Sequence, residues 1–125
     1  MSETTERVAA YRLGLSAETA AAWMLRLTGH WVLDRRARMG SGEIDIVARD
    51  RQTLIFVEVK ARRTIEAALE AVGRKAQTRI ANAADLWVEM HPDYAHLDRR
   101  YDIVAVLPGK LPVHVREAFW PGDWM

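Results

Sequence analysis

Asp45, Glu58 and Lys60 lie in two short apolar segments, Gly42-Glu43-Ile44-Asp45-Ile46-Val47 and Leu54-Ile55-Phe56-Val57-Glu58-Val59-Lys60. Carboxylates are hard oxygen donors suited to Mg2+ or Mn2+. A compact ammonium beside them offsets part of their negative charge. Side chains alternate along a strand. Alternation puts Ile44 and Ile46 on one face of the first segment and Glu43 and Asp45 on the other. In the second segment Ile55, Val57 and Val59 share a face, opposite Phe56, Glu58 and Lys60. The polar Asp50-Arg51-Gln52-Thr53 between them suits a hairpin loop. A symmetric hairpin pairs Val47 with Phe56, Asp45 with Glu58 and Glu43 with Lys60, with opposed Cβ atoms about 5 Å apart. Like charges held so close repel, and burial adds to the cost. A divalent cation removes that cost. The plain alternative is a solvated strand pair with Glu43–Lys60 and Glu58–arginine ion pairs. Exposed pairs contribute about 0–1 kcal/mol each, a weak reason for so specific an arrangement.

The flanking elements must position this hairpin. Val8 to Thr28 has helical character with a break near Gly14-Leu15-Ser16, where Ser16 caps the second segment and Gly29 ends it. Ala20, Trp23, Met24 and Leu27 have the spacing of a buried helix face. Glu18 falls in the first turn after the cap, where an acid also suits the helix dipole. His30-Trp31-Val32-Leu33 is expected as a strand, followed by a basic stretch, Asp34 to Arg38, and the turn Met39-Gly40-Ser41-Gly42. Thr64 to Met90 is expected as a long helix with Leu69, Val72, Ala76, Ile80, Ala83, Ala84 and Trp87 inward. Gly73 weakens it by about 1 kcal/mol relative to alanine if it lies mid-helix. His91-Pro92-Asp93 ends it. Tyr101 to Leu107 is a further strand with a Pro108-Gly109 turn, and Leu111 to Arg116 is an edge strand, a position Pro112 favours. The order α-β-β-β-α-β-β implies an α/β fold, a mixed sheet flanked by helices.

At 125 residues, half of them hydrophobic and 28% charged, the chain is expected to form a single globular domain over residues 1–125. No apolar run approaches the roughly 20 residues that span a bilayer. The acidic start, Met1 to Glu6, does not resemble a signal peptide, and cysteine is absent. A soluble cytoplasmic protein is the expectation. Fifteen of the 18 basic residues are arginine, which favours phosphate contacts but also follows from genome base composition.

Gly42-Glu43-Ile44-Asp45 followed by Glu58-Val59-Lys60 resembles the PD-(D/E)XK phosphodiesterase signature of restriction-endonuclease-like nucleases. With Phe56-Val57, the later Lys75-x-Gln77-x-Arg79-Ile80 and Tyr101-Asp102-Ile103-Val104, the pattern resembles the YraN-like bacterial family over roughly Gly14 to Val106. That family is related by fold to Holliday-junction resolvases. The resemblance implies a restriction-endonuclease-like fold and a Mg2+- or Mn2+-dependent endonuclease acting on DNA, with branched or recombination intermediates as substrates. It implies a catalytic set of Asp45, Glu58, Lys60 and Glu18, with Asp45, Glu58 and the Val59 carbonyl as metal ligands. Resolvases act as symmetric dimers, so by analogy a homodimer is implied.

Basic residues surround the hairpin. Arg35, Arg36 and Arg38 precede it, and Arg62 and Arg63 follow; they suit phosphates flanking a scissile bond or a solvated face. Lys75 and Arg79 share one face of the long helix, with Gln77 between them, and by resemblance this face meets substrate. His91 and His96 lack the spacing of a zinc site and fit a polar loop better. Trp120 and Trp124 are expected to cover a core edge, or to serve base stacking or a partner surface. Two further readings remain beside the nuclease. One is a nucleic-acid-binding module of the same fold with little catalysis; the other is an interaction protein docking through its terminal tryptophans.

Overall fold

The computed structural model describes residues 16–40 and 42–121. Helix α1 spans Ala17–Leu27, with the Ser16 hydroxyl accepting the Thr19 N–H at 3.1 Å as its cap. Gly29, at φ 90, turns the chain away from the helix axis, a conformation that glycine adopts without strain. The strands are β1 (Trp31–Met39), β2 (Gly42–Arg49), β3 (Thr53–Ala61), β4 (Asp98–Val106) and β5 (Val113–Val115). Helices α2 (Ile65–Glu70) and α3 (Arg74–Met90) connect β3 to β4, followed by a 3-10 turn at Pro92–Tyr94. The sheet order is β1-β2-β3-β4-β5, with β3 and β4 parallel and the other neighbours antiparallel. This is the expected α/β, restriction-endonuclease-like mixed sheet flanked by helices.

Both faces of the sheet are covered. On one, Val47, Leu54, Phe56, Tyr101 and Ile103 pack with Ile80, Ala83, Ala84 and Trp87 of α3. On the other, Ile46, Ala48, Ile55, Val57 and Val104 pack with Ala21, Ala22 and Leu25 of α1. Two covered faces explain why β3 is a near-continuous apolar run. No helix among the described residues is long and apolar enough to cross a membrane.

Several expectations need correction. The inward stripe of α1 is Ala21, Ala22 and Leu25, whereas Trp23 and Leu27 are 53% and 81% exposed. Small alanines let the helix backbone approach the sheet, leaving the larger side chains at its outer flank. The long helix is two helices, because the chain turns at Ala71 to Gly73 and Gly73 becomes the extended N-cap of α3. At that position glycine carries no mid-helix penalty. β1 does not stop at Leu33, since Asp34 to Arg38 continue it alongside β2 after a one-residue register shift between Val32 and Asp34. The edge strand is shorter than expected, covering only Val113–Val115. The helical segment expected before Ser16 lies outside the described residues, as do Ser41 and Trp124.

The largest departure is in β2. Ile44 and Ile46 do not share a face: Ile44 packs on the α3 side and Ile46 on the α1 side. The register with β1 runs from Arg35–Ile46 to Ala37–Ile44, passing over Arg36 and Asp45. Arg36 is left-handed, at φ 50. A non-glycine residue there costs about 1–2 kcal/mol, and the twist it introduces carries both strands' side chains across to the opposite face.

A candidate metal centre at a fork between two strands

The hairpin loop forms as expected. The Asp50 carboxylate accepts the Gln52 and Thr53 N–H groups at 2.9 and 2.8 Å, and Val47 pairs with Phe56. Backbone pairing of β2 with β3 ends at Ile46–Val57. Beyond that point β3 keeps its partner on the other side, with Glu58, Val59 and Lys60 still in register with Ile103, Val104 and Ala105 of β4. The two strands of the hairpin therefore fork. Asp45 lies in the fork, and its Oδ2 accepts the Val59 N–H at 2.8 Å. A side-chain carboxylate satisfies a donor that strand pairing would otherwise have claimed.

The expected backbone oppositions of Asp45 with Glu58 and Glu43 with Lys60 are consequently absent, yet the two carboxyls still meet. Glu58 is within hydrogen-bonding reach of Asp45 and its pKa is raised to about 9. Burial is the largest cause; the bond to Asp45 and its negative charge come next, while the Lys60 ammonium opposes them. Glu43 is exposed, adds its charge to the site and forms no ion pair with Lys60 among the described residues. In the absence of a cation Glu58 thus holds a proton at neutral pH. Like charges a hydrogen bond apart resist joint ionisation, and a divalent cation relieves the same repulsion that the proton relieves. The donor set fits a hard cation such as Mg2+, which is held by one or two carboxylates and retains several waters. Among the described residues no group of three or more His, Asp or Glu gathers as a metal cage.

Glu18 is otherwise engaged. Its two oxygens accept Arg35 Nε at 2.9 Å and Arg36 Nε at 2.7 Å, joining the first turn of α1 to the kink in β1. Burial opposes its charge, but the hydrogen bonds from Arg36 and Arg35 outweigh burial and hold its pKa below the usual carboxylate value. Arg36 also senses Glu43 and Asp45, so it links Glu18 electrostatically to the fork. Arg38, Arg62 and Arg63 are exposed, as are Lys75 and Arg79 on α3. Gln77 is not available as expected, because its Nε2 donates to the Val72 carbonyl at 3.0 Å and secures the α2–α3 junction. α3 reaches β2 at Gly42, where an added Cβ would stand 2.9 Å from the Arg79 carbonyl oxygen. Only glycine permits that approach.

A second polar cluster centres on Asp102 of the Tyr101-Asp102-Ile103-Val104 stretch. Asp102, fully buried in β4, accepts Arg100 Nε and Nη2 at 2.9 and 2.8 Å, His114 Nε2 at 2.6 Å and the Glu117 N–H at 3.0 Å. The signal was an acid within an apolar strand, and an arginine partner was foreseeable for it. The part played by His114 was not. His30, also buried, packs edge-on against His114 at 5.5 Å and donates Nδ1–H to the Leu25 carbonyl at 3.2 Å. His91 stacks on Trp87 at 3.9 Å. Trp120 contacts Tyr101 edge-on, in keeping with a cover for the core edge.

The Uncharacterised protein family UPF0102 matches residues 17–106. A UPF0102 protein of Mesorhizobium japonicum is 47% identical over 117 residues, covering 94% of this chain and 94% of the relative. One from Nitrobacter winogradskyi is 51% identical over 113 residues, covering 90% of this chain and 96% of the relative. A solved structure, Pyrococcus furiosus SfsA in complex with Ca2+, covers 78% of this chain and 58% of its own at 14% identity. Its TM-score is 0.28.

Proposed function

We propose, from the premise that this chain belongs to the UPF0102 family, that it is a divalent-metal-dependent endonuclease of the PD-(D/E)XK superfamily acting on DNA. The observation that carries this reading is the Asp45 carboxylate in the strand fork, bonded to the Val59 N–H and within reach of the Glu58 carboxyl, with the Lys60 charge beside it. Asp45, Glu58 and the Val59 carbonyl would hold Mg2+ or Mn2+. Such an ion, when bound, supplies Lewis-acid polarisation of a phosphoryl oxygen and a lowered pKa for a coordinated water. Lys60, two residues beyond Glu58, orients the attacking water or offsets charge developing on the phosphate. Glu18 acts by fixing Arg35 and Arg36, the cations at the kink. Arg38, Arg62, Arg63, Lys75 and Arg79 contribute phosphate contacts, which add affinity without reading sequence. Branched or recombination intermediates are the substrates in view.

Cleavage of labelled duplex, single-stranded, flap and four-way substrates with Mg2+ or Mn2+ tests the proposal. Wild type is expected to cut at least one of them, and Asp45→Ala to cut none. Failure of pure protein on all four, or full activity in Asp45→Ala, refutes it. A second reading, a binding module with little catalysis, draws support from Glu18, whose two oxygens are both taken up by Arg35 and Arg36. Such a module shifts branched DNA equally with and without EDTA and cuts nothing.

A further inference from the structure

β3 runs from Lys60 directly into the wall of a cleft. Ala61, Arg62 and Arg63, the β4–β5 connection from Val106 to Pro112, and Ala20 of α1 line it. The cleft measures about 720 Å³, within the roughly 300–1,000 Å³ range of small-ligand sites. Its lining includes three cations, Arg62, Arg63 and Lys110, and no acid. The remainder is largely aliphatic. Lys110 sits on a built turn, in which its N–H donates to the Leu107 carbonyl at 3.3 Å and Gly109 takes φ 67. Lys110 has no ion-pair partner among the described residues, and the adjoining Leu111 is 86% exposed.

We infer that this cleft receives an unpaired nucleic-acid strand running on from the scissile phosphate, with Lys110 as a phosphate contact and Leu111 against sugar or base. The inference rests on the nuclease reading for the position of that phosphate. Three features favour this occupant. The cations without acids complement a phosphate backbone. The cleft begins at Ala61, about 3 Å of strand past Lys60 by the rise per residue. A volume of this size holds nucleotide units but excludes a duplex. Aliphatic walls without aromatic platforms suit contact with sugars and base edges, so no strong base preference is expected.

The test is fluorescence anisotropy of the full chain in EDTA, where cleavage plays no part, using an oligothymidylate and a blunt duplex across a salt series. Lys110→Ala is expected to lower the slope of log affinity against log salt by about 0.7 for the single strand, the amount that one neutralised phosphate supplies. The duplex slope should not change. An oligothymidylate carrying an alkyl diazirine, which inserts into aliphatic side chains, is expected to photocrosslink within residues 106–112. Absence of single-strand binding by wild type, an equal effect of Lys110→Ala on duplex, or crosslinks confined to other segments overturns the inference. Binding and crosslinking in the cleft with no cleavage in Mg2+ would remove the nuclease reading and leave the cleft assignment standing. Cleavage of tailed substrates unchanged by Lys110→Ala would do the reverse.

Discussion

Glu58→Gln should make the metal-free protein more stable. In EDTA the folded state holds Glu58 protonated up to a pKa of about 9, against 4.5 for the unfolded chain. Between those values the native state binds more protons, so stability falls as pH rises through the interval. Each pH unit is a tenfold change in the linked equilibrium, and the span from 4.5 to 7 comes to about 3 kcal/mol. That figure is an upper bound, since the side chain is only half-buried. Glutamine resembles the protonated acid in size and can donate to Asp45 without acquiring charge. Urea denaturation of wild type and variant in EDTA should therefore coincide near pH 4 and diverge steadily toward pH 9. At pH 7 the variant should lead by up to about 3 kcal/mol, or roughly 10 °C in melting temperature for a chain of this size. Mg2+ should raise the wild-type midpoint by binding the native state and leave the variant's almost unmoved. Superimposable pH profiles in EDTA, or a less stable variant, would refute the charge-repulsion account of the fork.

Asp102→Asn should destabilise by roughly 3–5 kcal/mol in urea denaturation, because the half-buried Arg100 guanidinium loses its counter-charge; a loss under about 1 kcal/mol would show the cluster to be incidental. Gly42→Ala should cost about 1–3 kcal/mol, since the new methyl meets the α3 backbone at Arg79 rather than a movable side chain, and equal thermal midpoints would contradict that packing. On mild acidification the His30 neighbourhood should weaken first. Burial lowers its pKa, the Leu25 bond opposes that, and the charges of His114, Arg116 and Arg100 lower it further. The unfolded chain therefore takes up the proton first, and stability is lost as pH falls below about 6.5; His30→Gln should flatten the denaturation midpoint between pH 7 and 5. Below the usual carboxylate range Asp102 adds a second loss: burial alone would raise its pKa, but bonds from His114, Arg100 and the Glu117 N–H outweigh burial and depress it, so its contribution is full above about 3.8 and disappears as pH falls through the native value.

What could be read from the chain was local chemistry. The polar Asp50 loop, the alternation of β3 and the apolar spacing of Ile80, Ala83, Ala84 and Trp87 each depend on neighbours within a few residues, and each took the expected form. The pairing of Asp45 with Glu58 was foreseeable as proximity but not in geometry. Strict alternation predicts a continuous ladder, whereas a left-handed Arg36 on the adjacent strand shifts Ile44 and Ile46 to opposite faces. Nothing in an arginine's identity announces a positive φ. The engagement of Glu18 with Arg35 and Arg36 depends on how α1 crosses β1, a tertiary fact. The division of the long helix at Gly73 was signalled by its glycine, but an alanine-rich context on both sides concealed which role that glycine plays. β1 was underestimated because the charged run from Asp34 to Arg38 resembles a loop until β2 lies alongside.

The ties on Asp102 bear on how this molecule can be dissected. The match to the family ends at Val106, while His114 and the Glu117 amide, two of the groups holding that carboxylate, come later in the chain. A fragment trimmed to those boundaries would keep the acid and Arg100 but forfeit the other two partners along with the strip that shields them. Minimal expression fragments should accordingly extend through Phe119, whose ring also seals Tyr101, and shorter ones should be recovered as aggregates.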